Sequence, residues 1–559
     1  MKEYIRYLNS LHTYHAQNPN AYAEKNVTNP FYEKTMVKIP LSDFIMKQLR
    51  EREPHILILT GHAGDGKTSI MSQVVKEFGS ELDMKKSFTD FFYEGKEYRC
   101  IKDFSELSDE GKEETLKEVV TYPEQGKYVF MVSNTGPLIH TFGQLFSDSG
   151  EREKAKMDLI DTMDQNNGRI QDIQGYKISV INVAVIDNTF FPKEYLSKIC
   201  DVSLWERCAG CEKKEDCHIY RNQRLICENK SQVERFLDTY YIWQTEYGNR
   251  MTLRSMAEQL SYMITGGVEC SDVSSTEKHK LLFPNLFFGY YGNVENVRAQ
   301  GILSVRLANE GGLDRKRIQS DEELLIRRNY RDLFGESVQK IIAEAEGTKD
   351  SLYGGWAEEL RRFYYFLNIR TDKEIIRQDI EDIFSRQFFY YADIRSGKNK
   401  VTKSQKALIE SALRMMYLGS MGLKNLSSEI PITLSKDSGI TQVVQLVVGM
   451  IQTNKILIEV EKDCEISNGK CKLVLKIKNE DVRFDITLPM LDYFEELKNG
   501  IIATNIDPQL SHGIDSLKAK LAEYARREAA DDELELIILG KKDYDLLKIS
   551  VDNGVLRLL

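Results

Sequence analysis

Eight consecutive residues constrain this chain more than any other feature. Gly61-His62-Ala63-Gly64-Asp65-Gly66-Lys67-Thr68 satisfies G-x-x-x-x-G-K-[ST], directly after the apolar run Ile56-Leu57-Ile58-Leu59 and directly before a predicted helix, Thr68 to Phe78. A short, continuous apolar run bounded by glycine reads as a strand buried on both faces, so this stretch predicts an α/β domain with a phosphate-binding loop. Glycines let main-chain N–H groups curl around phosphate oxygens, and the following helix aims the positive end of its dipole at them. Lys67 is expected to neutralise the β and γ phosphates, and Thr68 to offer its hydroxyl to Mg²⁺. Gly61, His62, Ala63, Gly64, Asp65, Gly66, Lys67, Thr68 and Ser69 are therefore the candidate nucleotide-binding residues, with ATP and Mg²⁺ as ligands.

Hydrolysis needs a second element that holds the metal and orients water. Two acids compete for that place. Val183-Ala184-Val185-Ile186-Asp187 is an apolar strand pattern ending in an acid, but Asn188 stands where a second carboxylate is usual. Cys100-Ile101-Lys102-Asp103-Phe104-Ser105-Glu106 has a shorter strand and offers two acids. Asp187 and Asp103 are equal candidates for metal ligand and catalytic acid, although strand-end acids also make ordinary turns. Asn134, closing Val129-Phe130-Met131-Val132-Ser133, suits a water-orienting polar group.

The 559 residues are too many for one small module, and 42% apolar against 29% charged is the balance of a soluble globular protein. A net charge of -10 excludes recruitment to nucleic acid by a global basic field, so DNA contact is expected through partners. No apolar run approaches the roughly 18 to 20 residues of a membrane span; Val443 to Ile451 is about half that. The N-terminal segment lacks the apolar core of a signal peptide, and a cytoplasmic location is expected. Further apolar runs at Tyr128 to Val132 and Ile178 to Ile186, with a helical segment at Asp109 to Val120, extend the expected parallel sheet. The organisation reads as a helical lead-in (1–54), a nucleotide-binding core (55–230), a helical lid (231–318), a helical region (319–453) and a C-terminal α+β domain (454–559). The last of these rests on alternating runs such as KILIEVE, KLVLKIK and ELELIIL.

Five of the nine cysteines fall between Cys200 and Cys227. Cys200, Cys208, Cys211 and Cys217 form C-x7-C-x2-C-x5-C, and a C-x-x-C turn can place two thiolates on one tetrahedral Zn²⁺, so these four are the candidate ligands of a structural zinc. Cys227 could replace Cys200, and a set of reduced, partly buried thiols is the plainer alternative.

Arg250-Met251-Thr252-Leu253-Arg254 opens an amphipathic helix that ends at Gly266-Gly267, with Thr252 placed to cap its first turn. Arg254 falls at the edge of the apolar stripe, where a guanidinium can reach a γ-phosphate. Arg315 and Arg317 are weaker candidates for an arginine acting across an interface in a homo-oligomer.

With GHAGDGKTSI, KDFSEL, VSNTGPL, CAGCEKKEDC and RMTLRSMAEQLSYMITGG in this order, roughly the first half of the sequence resembles a group of bacterial AAA+-like ATPases of anti-phage defence clusters. The family it resembles is the DptF-type ATPase of phosphorothioation-dependent DNA restriction. The resemblance implies a P-loop NTPase (AAA+-like) core with a zinc-binding insertion and a helical lid. It also implies an ATP hydrolase working with partner nuclease or helicase subunits against foreign DNA. Lys67 and Thr68 then match the nucleotide and Mg²⁺ positions, Asn134 resembles a sensor and Arg254 a lid arginine. The competing functional class is a nucleotide-dependent switch with little turnover. A small-molecule kinase is disfavoured by the length of the chain.

Overall fold

The computed structural model describes residues 2–12, 29–273, 277–346, 354–419, 428–434, 443–463, 466, 470–501, 506–528, 533–540, 544–552 and 555–558. They divide into two compact units. The first is Met1–Thr245, Asn249–Ile383 and Cys464–Asn468; the second is Glu246–Gly248, Phe384–Asp463 and Gly469–Leu559.

The first unit opens with α1 (Lys2–Ser10) and α2 (Pro40–Glu51), whose Pro at the first helical position has the φ a helix start requires. Its centre is a mixed sheet built from β1 (Ile56–Thr60), β2 (Phe88–Tyr93), β3 (Lys96–Ile101), β4 (Tyr128–Val132), β5 (Gln171–Ile173) and β6 (Tyr176–Asn182). The order is β2-β3-β4-β1-β6-β5. β3, β4, β1 and β6 run parallel, and β2 and β5 close the two edges antiparallel.

The apolar runs at 56–59, 128–132 and 178–181 lie side by side, with Ile58 opposite Met131 on one flank and Val180 on the other. Both faces are covered, which is why these strands read as continuous rather than alternating. Ile56, Ile58, Val129, Met131, Ile178 and Val180 share one core cluster with Leu116, Leu138, Phe142 and Leu159. Those four come from α4 (Asp109–Val119), α5 (Thr135–Gln144) and α6 (Ser149–Gln165). Leu57, Leu59, Phe130 and Val132, facing the other way, are equally buried. Truncating any of them to alanine would cost about 2–5 kcal/mol.

After the sheet come α7 (Phe191–Ile199), α8 (Val202–Ala209), α9 (His218–Glu228) and α10 (Leu253–Thr265). Thr252 caps α10 by accepting from Ser255 N at 3.1 Å, and Gly266, at φ 61°, ends it. The helices α11 (Trp356–Leu367) and α12 (Lys373–Ile383) lie at the end of this unit's Asn249–Ile383 segment.

The second unit joins a helix, α13 (Lys403–Leu418), to two antiparallel sheets. One holds β7 (Glu429–Leu434), β8 (Val444–Gln452), β12 (Glu533–Leu539), β13 (Tyr544–Asp552) and β14 (Val555–Leu558), ordered β14-β13-β12-β8-β7. The other holds β9 (Ile456–Lys462), β10 (Cys471–Ile477) and β11 (Arg483–Ile486). The helix Phe388–Arg395 and two later helices, α14 (Leu488–Lys498) and α15 (Pro508–Glu528), belong to it as well. Leu408, Ile409 and Leu413 of α13 pack with Ile430, Ile432, Leu475, Phe494 and Leu521 in one core.

The boundary between units therefore falls at 383/384, inside the region expected to be a single helical domain, because α13 buries its apolar stripe against strands that follow it. Gly449 marks a bulge in β8 where a side chain would collide with the Ala525 carbonyl, so helix and sheet approach more closely than any other residue permits. No described helix is long and apolar enough to cross a membrane.

Candidate functional site

In an open α/β sheet, ligands bind in the crevice beyond the carboxyl ends of the parallel strands. Here the first unit holds a cavity of about 640 Å³ at the ends of β1, β3 and β4. His62 through Ser69 line it, together with Asp103, Ser105, Glu106, Asn134, Leu253 and Arg254.

The glycine-rich loop leaves β1 and turns directly into α3 (Lys67–Glu77), hereafter the loop helix. Gly66, at φ 88°, makes that turn in a conformation that costs other residues energy. The hydroxyls of Thr68 and Ser69 sit in the first turn of this helix, and Tyr32 donates to Ser69 Oγ at 3.1 Å. Gln73, one turn on, accepts from Ile39 N at 2.9 Å and donates to Val37 O at 2.9 Å. It thereby pins the extended 37–39 segment against the helix, and Val37 and Ile39 supply an apolar wall with Phe191 and Tyr195 of α7.

Lys67 is only 8% exposed. Its ammonium donates to Gly61 O (3.0 Å), His62 O (2.8 Å) and Asn134 Oδ1 (3.2 Å). Burial lowers its pKa below the ordinary lysine range, Asp65 and Asp103 oppose that shift, and Arg250 and Arg254 reinforce it. Three cations and two carboxylates thus act on one another at the mouth of the loop.

Asp103 ends the loop after β3 and caps a short 3-10 turn by accepting from Ser105 N at 2.9 Å. Ser105 Oγ in turn accepts from Asn134 N at 2.6 Å, which ties the end of β3 to the end of β4. Asp103, Asn134, Lys67, Thr68 and Arg254 are brought to one cavity.

Asp187 does not line it. β6 stops at Asn182, whose side chain accepts from Ala184 N and starts a 3-10 turn, Val183–Val185. That turn carries Asp187 off the strand end, and its carboxylate accepts from Thr189 N at 2.8 Å. The apolar residues 183–186, which suggested a longer strand, instead form the turn. Arg315 and Arg317 do not line the cavity either.

The cysteines are regrouped relative to the expected C-x7-C-x2-C-x5-C set. Cys200 caps the end of α7 and faces Cys227 of α9, whose Sγ lies 3.7 Å from Cys200 O. Burial first, then Cys217, Cys270 and Cys211, push the Cys208 thiol up to about 12, which brings Cys270, outside the expected set, into its electrostatic reach. Among the described residues no three His, Cys, Asp or Glu side chains lie close enough together to hold a metal ion. The residues as placed do not present a zinc site.

Several contributors carried no sequence signal of their own. Arg250 pairs with Asp65, and Ser105, Tyr32, Phe191 and Tyr195 shape the cavity from three different segments. The one available clue was Asp65, an acid inside a loop built for anions, which demands a cation nearby. The chain matches no protein-family model, no curated protein and no solved structure.

Proposed function

We propose that this chain is a P-loop NTPase of AAA+-like architecture that binds and hydrolyses ATP with Mg²⁺. The observation that carries the reading is the convergence of Lys67, Thr68, Asp103 and Asn134, from the ends of three adjacent parallel strands, on one cavity. The residues fit the ligands. The loop offers backbone amides and a buried ammonium to phosphates, while the Thr68 hydroxyl and the Asp103 carboxylate are the oxygen donors that Mg²⁺ prefers. Mg²⁺ held there would neutralise phosphate charge.

The remaining work falls to the chain. Lys67 gives up carbonyl acceptors of its own loop for phosphate oxygens, exchanging neutral acceptors for anionic ones. Asn134 orients a polar neighbour of the terminal phosphate, Glu106 supplies a second carboxylate beside Asp103, and Arg254 compensates charge on the transferred group. The apolar wall of Val37, Ile39, Phe191 and Tyr195 suits the flat face of a nucleobase.

The resemblance to DptF-type ATPases supports a setting in anti-phage DNA restriction, with turnover driving or licensing partner nuclease or helicase subunits. Phosphate release by the purified chain, alone and with DNA, tests the reading: Lys67-dependent turnover is expected, and nucleotide binding without turnover under either condition would leave only the switch.

A further inference from the structure

The start of α10 is seated on the glycine-rich loop through several independent contacts. The Arg250 guanidinium pairs with Asp65 Oδ1. The Arg254 N–H donates to Gly64 O at 3.2 Å. A Cβ at Gly64 would lie 3.1 Å from Thr252 Oγ1, and one at Gly66 would lie 2.5 Å from Leu253 Cδ1, so residues 252–254 rest on the loop's two inner glycines.

The two arginines of this segment point to different tasks. Arg254 lines the cavity and Arg250 does not. Asp65 is 1% exposed and uses its two oxygens in two directions: Oδ2 accepts from His62 N at 2.7 Å, within the loop, and Oδ1 meets Arg250. One carboxylate therefore braces the loop's backbone and anchors the helix above it. A buried carboxylate stripped of its cation is strongly disfavoured, so Arg250 is held to Asp65 rather than released to a ligand.

We infer that Asp65 and Arg250 are a positioning pair that fixes residues 250–254 on the loop, so that Arg254 is delivered to the terminal phosphate of a nucleoside triphosphate. The pair thereby creates a preference for tri- over diphosphate without touching either. This deepens the nucleotide reading and rests on it. If the pair acts only through Arg254, losing Arg250 removes what losing Arg254 removes, and losing both removes no more.

Titration calorimetry of the full chain with MgATP and MgADP tests this. Wild type is expected to favour ATP, and R254Q to lose about tenfold of that preference, the size of one charge-assisted hydrogen bond. R250Q should lose the same factor, R250Q/R254Q no more, and R250K, which keeps a cation on Asp65, should retain most of it. D65N/R250Q strands no buried charge, so it should melt like wild type; glutamine reaches less far than arginine, so it should still lack the preference. An ATP-to-ADP ratio that survives in R250Q or D65N/R250Q, or losses that multiply in R250Q/R254Q, overturns the inference alone. A wild-type chain that binds neither nucleotide overturns the nucleotide reading and takes the inference with it.

Discussion

Lys67 Nζ donates to Asn134 Oδ1 at 3.2 Å, joining the loop after β1 to the end of β4 across the floor of the cavity. The bond links the residue expected to grip phosphate with the residue expected to sense it. Asn134 caps no helix with its side chain, so its amide is committed to this contact rather than to local structure. N134A should therefore lower the rate of phosphate release by about ten- to a hundredfold, the range of one oriented donor or acceptor, while nucleotide affinity changes less than threefold. Single-turnover kinetics beside calorimetry separates the two quantities.

The two acids that were equal in the sequence are unequal in the fold. Asp103 lines the cavity beside Lys67, and Asp187 is spent on a turn closed by Thr189 N. D103N is expected to abolish Mg²⁺-dependent turnover, and D187N, whose amide oxygen can still accept from Thr189 N, to leave it within about twofold; D187A, which does lose that turn bond, should also keep turnover while costing on the order of 1 kcal/mol of stability. Equal losses of turnover from D103N and D187N would contradict the placement.

Glu258 gives a pH signature. It lies one helical turn after Arg254, and burial raises its pKa to about 7 against the weaker pull of Arg254. A carboxyl whose folded pKa exceeds its unfolded value binds more protons in the native state, so its contribution to stability is complete below about pH 4.5 and is lost as pH rises through about 7. E258Q should raise the melting temperature at pH 8 and leave it nearly unchanged at pH 4.5, a difference on the order of 3 kcal/mol. A uniform shift at both pH values would point to packing instead.

The cysteines carry a further prediction. Cys200 faces Cys227, while Cys208 and Cys270 each lie within electrostatic reach of Cys211 and Cys217, yet no three of these described thiols are close enough to share a metal ion. The purified chain should therefore hold well below one zinc per molecule, and C200S should not change that, as read by mass spectrometry of the metal. Stoichiometric zinc that drops in C200S would restore the four-ligand set suggested by spacing.

How much of this was legible in sequence depends on how local the signal is. The loop, its flanking strand and helix, and the Thr252 cap are each set by residues within one turn of each other, and their positions follow from pattern alone. Asn134 was legible because a buried strand ending in a polar residue stands out. Asp187 misled because Val183 to Ile186 are apolar and β-branched enough for a strand, yet Asn182 accepts from Ala184 N and turns the chain first. The Asp65–Arg250 pair and the Cys208–Cys270 neighbourhood join residues 185 and 62 positions apart, and no periodicity carries such distances. The unit boundary at 383/384 was hidden for the same reason: α13 resembles its helical neighbours in composition, and only its strand partners assign it elsewhere.

The central claim is that a buried ammonium in a glycine-rich loop is there to hold nucleotide phosphate. Calorimetry of MgATP binding to wild type and K67A, on chains matched for melting behaviour, tests it most directly. Saturable binding by wild type that weakens by a hundredfold or more in K67A is the predicted result. Identical isotherms for the two, or no heat from either, would contradict the account.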